Sequence, residues 1–600
     1  MSKLESLRAH PRAVDAVALA IVAMAVVWRG WAEYGGWFFG DDLIFLTRLA
    51  QGVDAAWFFE RHNFHFMPIG LGLAWLVDLA GPFAWWAAAT EMTVLYALAC
   101  LLCWTMLRTA FGARWWAIPG LVFYCFTVVG VPANLWWASG LTAAPAQVGI
   151  LTAIIGHLGY LRTTRRRWLL LVLLGMGIGL LSYVKALFVP MALGLLTLAY
   201  FADGDLKDRL VTVVRRYWPL WTLYVAVCAA YLARYVATST GGEGGSGISD
   251  VDFGDVADHL IVDGLLTSIV GGPWRWVWVG PSVGPRLLAD PPMIAVTLSV
   301  VALVAVLTLA RIRRTDALLS LWFLVPYVVA TYLTIALGRA ATFGMGATAD
   351  IRYWYDLMPY AALAIGTLVM PIRGAVNRPR PRADAPEAWP TRPTLVAVSI
   401  TFVAGALVST HSYVTPWHGP FDTRRFMENA TAQLETAPAP PQIVDQPVAE
   451  KVMYALGGNN LPSDLLAPVA DRFTTPTAGT QLQVFDDDGV LHPARVAPDA
   501  SAPEESLERC AEGTKPATQR FDLGMTTIDY PFWISVEYIA DVTTSAYVRA
   551  GEELHDVTLP AGRHVLSFTS TGAFDHVQLI PQDGRVCLEW LDVGRVMIPR

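Results

Sequence analysis

Two adjacent carboxylates, Asp41 and Asp42, stand in the run Phe38-Phe39-Gly40-Asp41-Asp42-Leu43-Ile44-Phe45. Some twenty residues later comes Glu60-Arg61-His62-Asn63-Phe64-His65-Phe66-Met67-Pro68. A partly desolvated carboxylate can take a proton from a hydroxyl as a general base. Guanidinium and imidazole groups can stabilise a departing anion. The two clusters therefore suit transfer of a group onto a hydroxyl. Plainer roles stay open beside this one. Asp41 can cap a helix, leaving Asp42 solvated. His62 and His65, three apart, can share a face with a carboxylate and hold a divalent metal, or can sit at headgroup level with no ligand.

Other charged or aromatic residues qualify by their setting. This chain uses Lys five times and Arg 38 times, and Lys185 lies in the apolar run SYVKALFVP. An amine there needs a partner such as a phosphate, or must snorkel to the interface. In GRAATFGMGATADIRYWYDLMP, Arg352 can meet an anionic ligand or pair with Asp350; Arg339 is a weaker candidate. Trp274, Arg275 and Trp276, in PWRWVW, can bind substrate by stacking on a sugar or isoprenoid, or can belong to an interfacial aromatic belt. The same two readings hold for Trp136 and Trp137. Gly241, Gly242, Gly244 and Gly245 make a stretch with the freedom a lid needs, without the Gly-Lys-Ser/Thr of a phosphate loop.

The elements that carry these residues are set by composition. Of 600 residues, 54% are hydrophobic and 16% charged, against about 25% charged in a soluble domain. About eleven runs approach the roughly 20 apolar residues that span a bilayer: 13–31, 87–107, 114–133, 141–161, 168–183, 186–202, 217–236, 292–310, 316–337, 353–371 and 393–411. The expectation is a polytopic α-helical membrane protein. A further run, 67–83, is expected to be an in-plane or re-entrant helix; the alternative is that one of the short runs 168–183 and 186–202 does not cross. With 67–83 uncrossed, the Arg and Lys residues between spans gather on one side, as the positive-inside rule requires. The first run follows Lys3, Arg8 and Arg12 without a small-residue cleavage site, so it reads as an uncleaved helix with its N-terminus in the cytosol. Segments 32–86, 237–291 and the tail then share the far side of a plasma membrane.

Residues 1–411 form the expected membrane domain, 412–448 a linker or extended segment rich in Pro, and 449–600 a β-rich domain. In that last part WISVEYI, SAYVRA, HDVTLP, HVLSFTS and DHVQLI alternate at the strand period, as in an extracytoplasmic β-sandwich. From residue 412 onward there are 26 acidic and 13 basic residues, which argues against nucleic acid as a partner. Cys510 and Cys587, alone in the tail, suit a disulfide outside the cytosol. Cys100 and Cys103 read as small hydrophobes. Asp486-Asp487-Asp488-Gly489 is a hairpin turn or a calcium turn. Trp533 and Tyr538 can line a sugar-binding face or fill the core.

The acidic pair, the basic and imidazole cluster leading to Pro68, and the later Arg108-Thr109-Ala110-Phe111-Gly112-Ala113-Arg114 together resemble the C-type (GT-C) superfamily of integral-membrane glycosyltransferases. His65-Phe66-Met67-Pro68 departs from the family's His-Pro by two inserted residues. The resemblance covers about two thirds of the chain. It implies a GT-C-like membrane domain and an inverting transfer of sugar from a polyprenyl-phosphate donor. The acceptor would be a cell-envelope glycan or lipid, and Asp41 or Asp42 the base. Arg61, His62, His65, Lys185 and Arg352 would face the donor phosphate, and some members add a metal. The accessory sandwich would bind carbohydrate. An Ala- and Arg-rich, Lys-poor composition fits a GC-rich genome such as that of actinobacteria. A transporter or flippase, or a non-catalytic envelope scaffold, would make other use of the same membrane part.

Overall fold

A computed structural model describes residues 11–62, 64–238, 251–278, 280, 284–340, 348–378, 380, 382, 391–454, 459–502 and 518–597. The chain divides into two compact units, Met1–Pro420 and Phe421–Arg600.

The first unit is a polytopic helical membrane domain. Seven of its helical stretches are long and apolar enough to cross a membrane: Pro11–Tyr34, Trp85–Phe111, Trp137–Thr163, Leu206–Ala237, Met293–Arg313, Leu321–Ala340 and the one that begins at Pro393. These answer to seven of the eleven expected spans. The other four are shorter, and each is broken by a turn or a proline. Trp115–Ala117 is a 3-10 turn before the helix Ile118–Phe126, which starts on a proline. Arg167–Leu180 and Val189–Tyr200 flank the 3-10 turn Val184–Phe188. The last expected span splits into the 3-10 turn Ile351–Leu357 and the helix Met358–Thr367. Proline fixes φ and has no N–H to donate, so it starts helices and interrupts them. The expected in-plane helix is Pro68–Asp78, 11 residues long. At about 1.5 Å per residue it is half a bilayer in length.

Trp137–Thr163 is the axis of this unit and its most buried long helix. It returns into Arg167–Leu180 through Thr164, whose φ is 54°. The two backbones touch: a Cβ on Gly149 would stand 2.4 Å from the Gly179 nitrogen and 2.7 Å from the Gly175 oxygen. Small residues that let helices approach are a common membrane packing device. His157 pins the same helix to two others, bonding Tyr224 Oη at 2.9 Å and Thr197 Oγ1 at 2.8 Å. It is a satisfied core histidine.

The second unit is a β-sandwich preceded by a helix. Strands Ala478–Gly479, Gly562–Ser570, Phe532–Ala540, Val586–Val596 and Val496–Ser501 pair in that order in one sheet. Gln519–Asp522, His576–Pro581, Thr544–Ala550 and Glu553–Leu559 form the other. Alternate residues of both sheets, among them Ile534, Phe568, Val548 and Leu579, fill one core. Tyr538 belongs to that core at 1% exposure, which excludes it from a sugar-binding face. Trp533 packs beside Val444 and Val484. Of residues 412–448, expected as a linker or extended segment, the part up to Thr436 is mostly helical, and the part from 437 on has no helix. Helix continues to His418, and Asp422–Thr436 is a second helix that buries Phe426, Met427, Ala430 and Leu434. Asp486 accepts from the Asp488 and Val490 amides in a hairpin turn, and Asp487 and Asp488 pair with Lys451 and Arg425. Cys587 is disulfide-bonded; Cys510 lies outside the described residues.

Candidate active site

The two adjacent aspartates point different ways. Gly40, at φ 58°, turns the chain into the helix Asp41–Ala50, a conformation glycine adopts at no steric cost. Asp42 is fully buried. Its Oδ2 accepts the Phe39 N–H at 2.9 Å and its Oδ1 accepts the Ala138 N–H at 2.7 Å. It staples the loop to the start of the axial helix. Burial pushes its carboxyl well above the ordinary range, against the pull of those two backbone bonds. Asp41 lines a pocket instead.

That pocket encloses about 760 Å³, part of it open to solvent. His62 and His65 enter it from a tight hairpin in which they are direct cross-strand partners. The His62 ring packs on Phe45 with centroids 4.4 Å apart. Burial lowers its pKa, and the Asp41 charge acts in the opposite direction. His65 Nε2 lies 2.7 Å from Arg339 Nη2. A guanidinium can only donate, so Nε2 accepts and the ring proton sits on Nδ1. Burial, reinforced by the Arg339 charge, drives the His65 pKa down to about 3, and the ring is neutral. Its Nδ1 is buried and has no hydrogen-bond partner among the described residues, and neither has Arg352 Nη1.

Arg352 enters from the 3-10 turn. Its guanidinium lies over the Trp136 ring at 4.4 Å and 3.3 Å from Asp350. Tyr353, Tyr355 and Asp356 of the same turn also line the pocket, with Tyr183 and Gln147 across from them. Gln147 donates to the Tyr355 carbonyl at 2.8 Å and accepts from Tyr124 at 3.0 Å.

Not every expected residue reaches this place. Lys185 does not line the pocket. Its amine donates to Asp356 Oδ1 and to the Tyr353 carbonyl, each at 2.7 Å, and Tyr327 donates to Asp356 Oδ2 at 2.6 Å. It neither snorkels nor faces the open space; it ties down the turn that carries Arg352. Arg61 leaves the pocket to its hairpin partners and stacks on Tyr235 at 4.3 Å, donating to its hydroxyl. Trp274, Arg275 and Trp276 are also away from it. The Trp274 amide and the Trp276 indole bond Ser409 in the last helix, and Arg275 pairs with Asp290. Arg108 pairs with Asp15 at 3.1 Å, so the Arg108–Arg114 stretch latches two helices together. Among the described residues no group of three or more His, Cys, Asp or Glu is disposed to hold a metal ion. Asp356, Gln147 and Tyr183 were not foreseen. Asp356 had a signal, being a carboxylate in an apolar stretch that a membrane-buried lysine needs. Gln147 and Tyr183 had none beyond polarity.

No family model and no curated protein matches the sequence. The structure is distantly similar to solved structures. ArnT from Cupriavidus metallidurans, solved bound to undecaprenyl phosphate, is 12% identical with a TM-score of 0.37, over 76% of this chain and 89% of that one. The arabinofuranosyltransferase AftD from Mycobacteria is 9% identical with a TM-score of 0.36, over 96% of this chain. A mutant form of AftD gives 10% and 0.34. The chain spans 58% and 61% of the two AftD chains. The likeness is distant and says nothing of donor, acceptor or base.

Proposed function

We propose that this protein is a membrane glycosyltransferase that moves a sugar from a polyprenyl-phosphate carrier to a hydroxyl of a cell-envelope glycan or lipid. The observation that carries the reading is the joining of one carboxylate, Asp41, with Arg339, Arg352 and His65 around a single pocket. Asp41 takes the proton of the acceptor hydroxyl. The acceptor oxygen forms its bond to the anomeric carbon as the bond from that carbon to the phosphate oxygen breaks, and the phosphate leaves with the electron pair. One displacement inverts the anomeric centre. Arg352, Arg339 and the His65 Nδ1–H supply donors to the leaving phosphate, a role in which preorganised charge contributes most to rate. Tyr183 and Tyr353 offer ring faces to the sugar. Asp42 holds the loop that carries the base.

The same reading puts the pocket on the extracytoplasmic face of the plasma membrane, with the N-terminus in the cytosol and the sandwich outside. It makes the sandwich a candidate carbohydrate-binding accessory.

The test is transfer of labelled sugar from a panel of polyprenyl-phosphate donors by the purified full chain. Asp41→Asn should lower turnover by about 10²–10⁴-fold, the usual worth of a general base, with an unchanged elution profile. An Asp41→Asn protein that transfers as fast as wild type would overturn the assignment.

A further inference from the structure

The Trp136 indole carries two guanidiniums. Arg352 lies over it at 4.4 Å and Arg286 at 4.5 Å. Each is within 4.5 Å of one centroid, so their Cζ atoms are at most about 9 Å apart. Arg286 does not line the pocket, but Trp136, on which it lies, does. Gly284, two residues earlier, is pressed against the Phe39 ring, beside the loop that bears Asp41. Among the described residues Arg286 has no carboxylate within ion-pairing distance, and its Nε is buried without a hydrogen-bond partner. Asp350 is paired with Arg352. A cation is expensive to keep half-buried beside another cation unless an anion visits.

The charges of the site suggest which anion. Lys185 and Asp356 cancel in their own ion pair, and His65 is neutral. Among the described residues, that leaves Arg286, Arg339 and Arg352 facing Asp41 and Asp350, one positive charge in excess. A sugar-linked phosphate is a diester with one negative charge and balances it. When the sugar departs, the phosphate becomes a monoester with two negative charges, while the acceptor's proton neutralises Asp41. The site then has two positive charges in excess and the balance holds again; in both states it holds only with Arg286 counted, and the dianion interacts with that charge twice as strongly as the monoanion.

We propose that Arg286, acting across Trp136, tunes the pocket to the dianionic phosphate monoester that glycosyl transfer releases. It is a positioning and electrostatic residue, not one that touches the reacting atoms. The inference rests on the proposed function. For a phosphate held at Arg352, taking about 9 Å, the upper bound on the Arg286–Arg352 separation, and an effective dielectric between those of protein and water, one unit charge is worth roughly five-fold in affinity. A dianion feels it twice over.

The experiment is direct binding of a short-chain polyprenyl phosphate and of its methyl ester to the full chain in nanodiscs. Wild type, Arg286→Gln and Arg286→Lys are compared at pH 8 and pH 5. A phosphate monoester loses its second charge near pH 6, so the two ligands carry different charge only at the higher pH. Arg286→Gln should weaken the methyl ester about five-fold and the monoester about 25-fold at pH 8. The difference should vanish at pH 5, and Arg286→Lys should retain most of it. Equal losses for both ligands at pH 8, or no loss, would overturn the inference while leaving the glycosyltransferase reading intact. A wild-type protein that binds neither ligand would instead overturn the reading itself.

Discussion

Replacing Lys185 by Met tests the knot beneath the pocket. The Lys185 amine is 3% exposed and its partner Asp356 4%, so both charges are held out of water. Loss of the amine leaves the Asp356 carboxylate buried with a hydrogen bond from the Tyr327 hydroxyl, and frees the Tyr353 carbonyl as well. Removing one partner of a buried ion pair costs about 3–5 kcal/mol, because the other charge stays behind uncompensated. Removing both charges together is often close to neutral. The double variant Lys185→Met with Asp356→Leu should therefore unfold at a higher temperature than Lys185→Met alone. Its deficit against wild type should be less than half that of the single variant. The assay is thermal unfolding of purified protein in one detergent, read by intrinsic tryptophan fluorescence. Both variants should bind donor more weakly, since Arg352, Tyr353 and Tyr355 ride on the turn that the knot fixes. A single variant as stable as wild type would refute the reasoning, and so would a double variant less stable than the single one.

Further outcomes follow from the same geometry. Asp42 has a folded-state pKa raised by burial, so its contribution to stability is present below the ordinary carboxylate pKa and is lost as pH rises through the folded one; melting temperature should fall with rising pH in wild type, and less steeply in Asp42→Asn. His65 has the opposite sign. Its folded pKa is about 3, so stability is full above about 6.5, the unfolded value, and declines as pH falls from there toward 3; His65→Gln should flatten that decline in the same melting series. Gly149→Val drives a side chain into the backbone of Gly175 and Gly179 and should destabilise by at least the 1–3 kcal/mol of ordinary overpacking, seen as loss of monodisperse protein. Tyr538→Ala should cost about 3–5 kcal/mol by opening the sandwich core and leave any polysaccharide binding by the folded protein unchanged in a pull-down.

The sequence carried the membrane class and the sandwich through patterns that repeat over many residues. Site residues were visible where a charge interrupted an apolar run, as with Asp41, His62, His65 and Arg352. The division of labour between Asp41 and Asp42 was not visible, because it depends on Ala138, nearly a hundred residues away. Lys185 stood out as an anomaly, but its partner lies 171 residues further on, and no local signal joins them. Trp274 and Trp276 looked like ligand-stacking residues since an aromatic held by a helix and one held by a sugar have the same sequence signature. Their anchor is Ser409. The helix Asp422–Thr436 was legible in its Phe426, Met427, Ala430 and Leu434 spacing, yet the prolines after it drew the whole stretch toward an extended reading.

The Asp41–Asp42 doublet has a consequence for how this loop can change over time. Successive side chains of a helix diverge by about 100°, so a neighbouring pair at a first turn is a fixed angular fork. One prong is locked to the Phe39 and Ala138 amides, and that lock indexes the other prong into the pocket. An insertion of a single residue between Gly40 and Asp41 would rotate the fork as a whole, and a deletion there would remove one prong. Either change takes an acid away from the Phe39 and Ala138 amides or from the pocket. Substitutions in this loop can be sampled one at a time, but changes of length cannot, and drift here should be confined to side chains while the residue count stays frozen.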